Sequence, residues 1–103
     1  MFDPAYKKLL AKSPASFQER ADLWLVMIEE AIREHNAAVS ADLFRAAVLS
    51  HLAIEDSEKN PSIWSKDGLE FAKLTLHSSH QMLSKERQVA AFRAASTIYP
   101  LGG

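Results

Sequence analysis

Apolar residues along this chain recur at helical spacing in four long stretches, each followed by a polar or proline-marked corner. Over residues 17 to 38, Phe17, Ala21, Trp24, Leu25, Ile28, Ala31, Ile32 and His35 fall within about 120° on a wheel of ~100° per residue. Residues 41 to 56 place Leu43, Phe44, Ala47, Val48, His51 and Ile54 in line. Residues 66 to 83 do the same with Leu69, Ala72, Leu76, His80 and Leu83. Residues 85 to 98 turn Ala91, Phe92, Ala95, Ile98 and Tyr99 inward. No alternating, strand-like run competes with these patterns.

The punctuation agrees. Asp3-Pro4 reads as an N-cap and first helical position, starting a short helix that ends near Lys12, before Ser13-Pro14. Ser16 with Glu19 has the spacing of a capping box, and Ser40 and Ser84 stand where caps are needed. Glu55 to Pro61 is a polar corner whose acidic residues oppose the helix macrodipole, and Pro100 is expected to end the last helix. Gly68 is the first of only three glycines, so little of the chain is free to form tight hairpins or phosphate-cradling loops. The expected fold is all-α: one domain over residues 1–103, an antiparallel four-helix bundle with a short extra N-terminal helix across one end.

Two helices carry more apolar surface than one core face uses. Leu23, Val26 and Met27 lie off the first long stripe, and Phe71, Leu74 and Met82 lie nearly opposite Leu69, Leu76 and His80. A helix apolar on both sides is buried on both sides. Either the N-terminal helix and the Ile63-Trp64 segment cover these faces, or they bind a protein partner or a second copy, as methionine and aromatic side chains suit helix-in-groove recognition. Trp64, in a non-helical stretch, is either the anchor of such a surface or a plug for the end of the bundle.

Three of the four histidines, His35, His51 and His80, lie on core stripes, and His77 precedes His80 by one turn. In up-down-up order, His35 and His80 come level near one end, with Glu86 in the first turn of the last helix. His35, His77 or His80, and Glu86 are therefore candidate ligands for a divalent metal. The alternative is structural: histidines capping helix carbonyls near the end of the bundle, with His51 a satisfied core residue. An exposed His77 is the one candidate phosphoacceptor.

Composition narrows the function classes. Net charge is -1 and no basic run exceeds Lys7-Lys8, so nucleic-acid binding is not expected. There is no cysteine, hence neither a disulfide framework nor a thiolate zinc site. The longest strongly apolar run, Leu23 to Ile28, is far short of the roughly 20 residues of a membrane span. No basic-then-apolar leader opens the chain, so a cytoplasmic location is expected. No Gly-rich nucleotide loop or activated-nucleophile arrangement is present, Glu29, Glu30 and Glu34 read as solvated charges, and the Leu101-Gly102-Gly103 end reads as frayed. A non-enzymatic interaction module is the first expectation.

Tyr6 with Leu9-Leu10, then Ser13-Pro14 and Glu19-Arg20 before an amphipathic helix, resembles the opening of FlaF-type flagellar regulators. Phe44, Ile54-Glu55-Asp56 and Asn60 are similar to that family's second helix and following corner. The chain departs from the family pattern at Val48-Leu49, where a Leu-Trp pair is expected, and at Thr75-Leu76-His77, where a Ser-Ile-Gly-like stretch is expected. The resemblance covers about the first 60 residues and implies a small helical factor supporting flagellin production or export.

Overall fold

The computed structural model of the chain describes the backbone of residues 3–102 and the side chains of residues 3–100. Five α-helices pack together: α1 (Ala5–Ala11), α2 (Ala15–Glu34), α3 (Ala41–Lys59), α4 (Lys66–Met82) and α5 (Lys85–Gly102), with one short 3-10 turn at Ala38–Ser40. There is no strand among the described residues, and no described helix is long and apolar enough to cross a membrane.

α3 occupies the centre and touches all four other helices. Its surroundings explain why it is buried on nearly every side, not only along the expected stripe. Ala46, Ala47, Ser50 and Ala53 are small enough to let neighbours approach closely, and Val48, Leu49 and Leu52 fill the space between them. α2 and α5 run antiparallel. Arg87, early in α5, donates to the Asn36 carbonyl beyond the end of α2 at 3.2 Å, while Tyr99, late in α5, stacks on Trp24 in the middle of α2 with ring centroids 5.9 Å apart and lies under Arg20, in the first half of α2, at 6.0 Å.

Several boundaries differ from the sequence expectation, each for a local reason. α2 ends at Glu34, four residues early, because Asn36 adopts a left-handed conformation (φ 52°). Ala37 N–H then returns to the Ile32 carbonyl at 2.9 Å and Asn36 N–H to that of Arg33 at 3.3 Å, a Schellman closure in which asparagine takes glycine's usual place. At the starts of α1 and α2, Pro4 and Pro14 hold the cap positions; neither Asp3 nor Ser16 supplies a side-chain cap, and Ser16 lies inside α2. Ser40 precedes α3 without making its capping bond, whereas Ser65 Oγ and Ser84 Oγ accept from Gly68 N–H and Arg87 N–H at 3.0 and 3.3 Å. Pro100 does not stop α5, which continues through Gly102; Gly103 lies outside the described residues.

The polar corner after α3 also differs. α3 runs on to Lys59, and Asp56 is completely buried. Arg20 Nη2 and Tyr99 Oη donate to its Oδ1 at 2.8 and 2.7 Å, Asn60 Nδ2 adds a bond at 3.2 Å, and Trp64 Nε1 donates to Oδ2 at 2.8 Å. A buried carboxylate is tolerable only when paired and fully hydrogen-bonded, and this one ties α2, α3, α5 and the α3–α4 corner together. Burial pushes the Asp56 carboxyl up, but the bonds from Trp64, Tyr99 and Arg20 outweigh it and hold its pKa below the ordinary carboxylate value.

Candidate interaction surface

The apolar faces singled out in the sequence separate into covered and open parts. Leu74 and Met82 are 64% and 70% exposed, and both line a groove of about 550 Å³ formed by the start of α1, the first turns of α3 and one side of α4. Phe71 lies in the same groove but is half-buried, packed on the core, with Lys12 Nζ 5.4 Å from its ring centroid. Leu43 and Ala46 from α3 form part of the wall, and Asp3, Lys8 and Asp42 stand at the rim. On α4, Gly68, Ala72, Thr75 and Ser79, spaced three or four apart, share the face turned to the core, which leaves Leu74, two residues from Ala72, on the open side.

On α2, Leu23 and Val26 are exposed, whereas Met27 is half-buried against the core. Trp64 is the end plug and not an exposed anchor: only 9% of it is accessible, its ring meets Phe17 edge-on at 5.2 Å, and its indole N–H is held by Asp56. Phe92, expected in the core, is 57% exposed, and Val89 one turn earlier is also exposed.

The histidines divide into different environments. His35 is exposed, lies 6.4 Å from the Phe44 ring, and lines a depression with Glu86. His77 is exposed and its Nε2 pairs with Gln81 Nε2 at 3.2 Å. His80 is instead brought to His51, with ring centroids 5.4 Å apart, and the Phe92 ring meets His51 edge-on, also at 5.4 Å. His51 was expected to be a satisfied core residue, yet the buried Nε2 atoms of both His51 and His80 have no hydrogen-bond partner. Burial, with a smaller contribution from His80, pushes the His51 pKa down to about 4, and burial lowers that of His80. Among the described residues, no group of three or more His, Cys, Asp or Glu side chains is arranged to hold a metal ion. Of the acidic residues read as solvated, Glu29 forms an ion pair with Arg45 of α3, whose hydrogen bond lowers the Glu29 pKa.

The walls from α3 and the His51–His80 pair were not visible in the sequence because they depend on how α4 crosses α3, and a helical wheel carries no crossing angle. Comparison with protein-family models, with curated proteins and with solved structures gave no match.

Proposed function

We propose that this protein is a small, non-enzymatic helical interaction module that receives an amphipathic helix of a partner protein in the groove between α1, α3 and α4. The observation that carries the reading is the exposure of Leu74 and Met82 on the wall of a single groove. Its volume, about 550 Å³, suits a few anchor side chains, and Leu74 and Met82 stand about 12 Å apart along α4 at ~1.5 Å per residue. A stable dimer needs about 800 Å² per partner, more than so short a groove offers, which favours a helical segment over a second copy. The flexible methionine suits a surface that adapts to its ligand. The scaffold is read as an antiparallel four-helix bundle of α2 to α5 crossed by α1, with the contacts of Arg87 to Asn36 and of Tyr99 to Arg20 and Trp24 supporting that order.

A photo-crosslinking side chain at Ser78, which lines the groove, tests the reading in cells. A discrete adduct with another protein is expected, lost on Met82→Asp and absent when the probe stands at exposed Val39. A homodimeric adduct, or an adduct indifferent to Met82, overturns it.

A second reading, a factor supporting flagellin production or export, is favoured by one observation. Arg20, Asp56 and Asn60, three of the residues on which the resemblance to FlaF-type regulators rests, meet in one hydrogen-bonded cluster, although Arg20 lies 36 residues from Asp56. Deleting the gene in its native host and measuring flagellin tests it; an unchanged flagellin level rejects it.

A further inference from the structure

His51 of α3 and His80 of α4 bring two imidazoles side by side, and the buried Nε2 of each lacks a hydrogen-bond partner. α4 and α5 pack on α3 and scarcely on each other, so little besides this junction holds the α4–α5 corner in place. Gln88 Nε2 ties the corner to itself, donating to the His80 and Leu83 carbonyls at 2.6 and 3.0 Å. Cover from α5 is thin: Phe92 meets His51 edge-on but is itself mostly exposed. We propose that the His51–His80 pair is an acid-sensitive latch, whose protonation releases the α4–α5 corner, residues 79–88, from α3 while the rest of the bundle stays folded.

A neutral imidazole carries N–H on one nitrogen, an imidazolium on both. Protonating either ring therefore sets a charged donor at an Nε2 that is buried and has no acceptor. Protonating the second adds repulsion between like charges on adjacent rings. Nothing nearby offsets that charge. Within one turn of His51, His80 and Phe92 the titratable side chains are Glu55 on α3, His77 on α4 and Arg93 on α5, with Glu86 and Arg87 beside Gln88. Neither carboxylate bonds either Nε2. His77 pairs with Gln81, and Arg87 donates to the Asn36 carbonyl. Burial, and after it His80, pushes the His51 pKa from 6.5 down to about 4, and burial lowers that of His80. The opened corner, with ordinary imidazoles, takes up protons first. The latch is therefore fully closed above about pH 6.5 and weakens as pH falls towards about 4. Release stays local because, further along α3 and α5, Asp56 holds Arg20, Trp64 and Tyr99, and its carboxylate remains ionised in this range.

Amide hydrogen exchange on the untagged full chain, between pH 7.5 and pH 5, tests the latch. Protection at residues 79–88, corrected for the intrinsic rate at each pH, is expected to fall about 10- to 30-fold, a range discounted for the part of the His51 ring that solvent reaches. Protection in α2 is expected to hold. Nitrogen-15 spectra of the imidazoles should show His51 still neutral in the folded protein at pH 5. The fall at the corner disappears in the His51→Gln, His80→Gln double variant and remains in His77→Gln. Protection that does not change with pH, a fall that α2 shares equally, or a His51 ring charged in the folded protein at pH 5 overturns the proposal, as does a fall that survives the double variant. The first three are read on the unsubstituted protein, so they decide the matter even where a variant folds poorly.

Discussion

Asp56 draws Arg20, Asn60, Trp64 and Tyr99 onto one carboxylate, and the Arg20 guanidinium also lies over the Trp24 ring at 4.8 Å. Removing the carboxylate leaves the Arg20 charge and two buried donors without their acceptor. Asp56→Ala is therefore expected to lower unfolding free energy by about 3–5 kcal/mol in urea denaturation, whereas Tyr99→Phe, which removes one donor, costs about 1 kcal/mol. The pH dependence follows from the same bonds. Because the folded pKa of Asp56 lies below its unfolded value, the unfolded chain takes up the proton first. The stabilisation is complete above the ordinary carboxylate pKa and is lost as pH falls through the folded one. Urea midpoints measured from pH 6 down to pH 2 should fall more steeply in the parent than in Asp56→Asn; parallel curves would show that other carboxylates govern acid unfolding. Gly68 is the second residue with a defined steric role. A Cβ there would stand 2.6 Å from the Lys12 carbonyl oxygen, which is backbone and cannot rotate away. Gly68→Ala should cost about 1–3 kcal/mol despite its better helix propensity, read as a lower melting temperature.

At the scale of elements, the number and order of helices followed from apolar spacing, while their ends depended on details that spacing does not carry. The 17–38 stripe was read past its true end because Ala37 and Ala38 continue a helical composition and no glycine interrupts them. The stop is conformational: Asn36 tolerates positive φ, and the closure it makes buries Ala37 completely. Asn36→Gly should therefore hold stability within about 0.5 kcal/mol or raise it, while Asn36→Ala should lose about 1–2 kcal/mol, both measured by thermal unfolding. Equal effects of the two substitutions would locate the role of Asn36 in its side chain, not its backbone. The acidic corner differs from its sequence expectation for a related reason. Glu55 and Asp56 look alike in sequence, but Asp56 faces the junction with α2 and α5, and only the packed arrangement supplies the donors that make its burial tolerable.

For the whole molecule, the question left by the sequence was whether the extra apolar side chains serve the fold or something outside it. Burial divides them. Trp64 fills the end of the core; Leu74 and Met82 do not contribute to it. Leu74 and Met82 fall off the main stripe of their helix and Trp64 stands in a non-helical stretch, but a wheel sorts residues by direction around one helix and cannot say which neighbour, if any, lies in that direction. The division has a thermodynamic consequence. Trp64→Ala opens a cavity beside Phe17 and removes a donor from Asp56, so about 3–5 kcal/mol should be lost, a large share of what a domain of this size possesses. The Leu74→Glu, Met82→Gln double substitution changes side chains that solvent already reaches, so its effect on urea unfolding should stay within about 0.5 kcal/mol per site. A protein that keeps its stability through the second change while losing its crosslinked partner would have an apolar groove maintained for binding. If instead the double variant unfolds as readily as Trp64→Ala, Leu74 and Met82 belong to the folding core, and the groove is not where a partner docks.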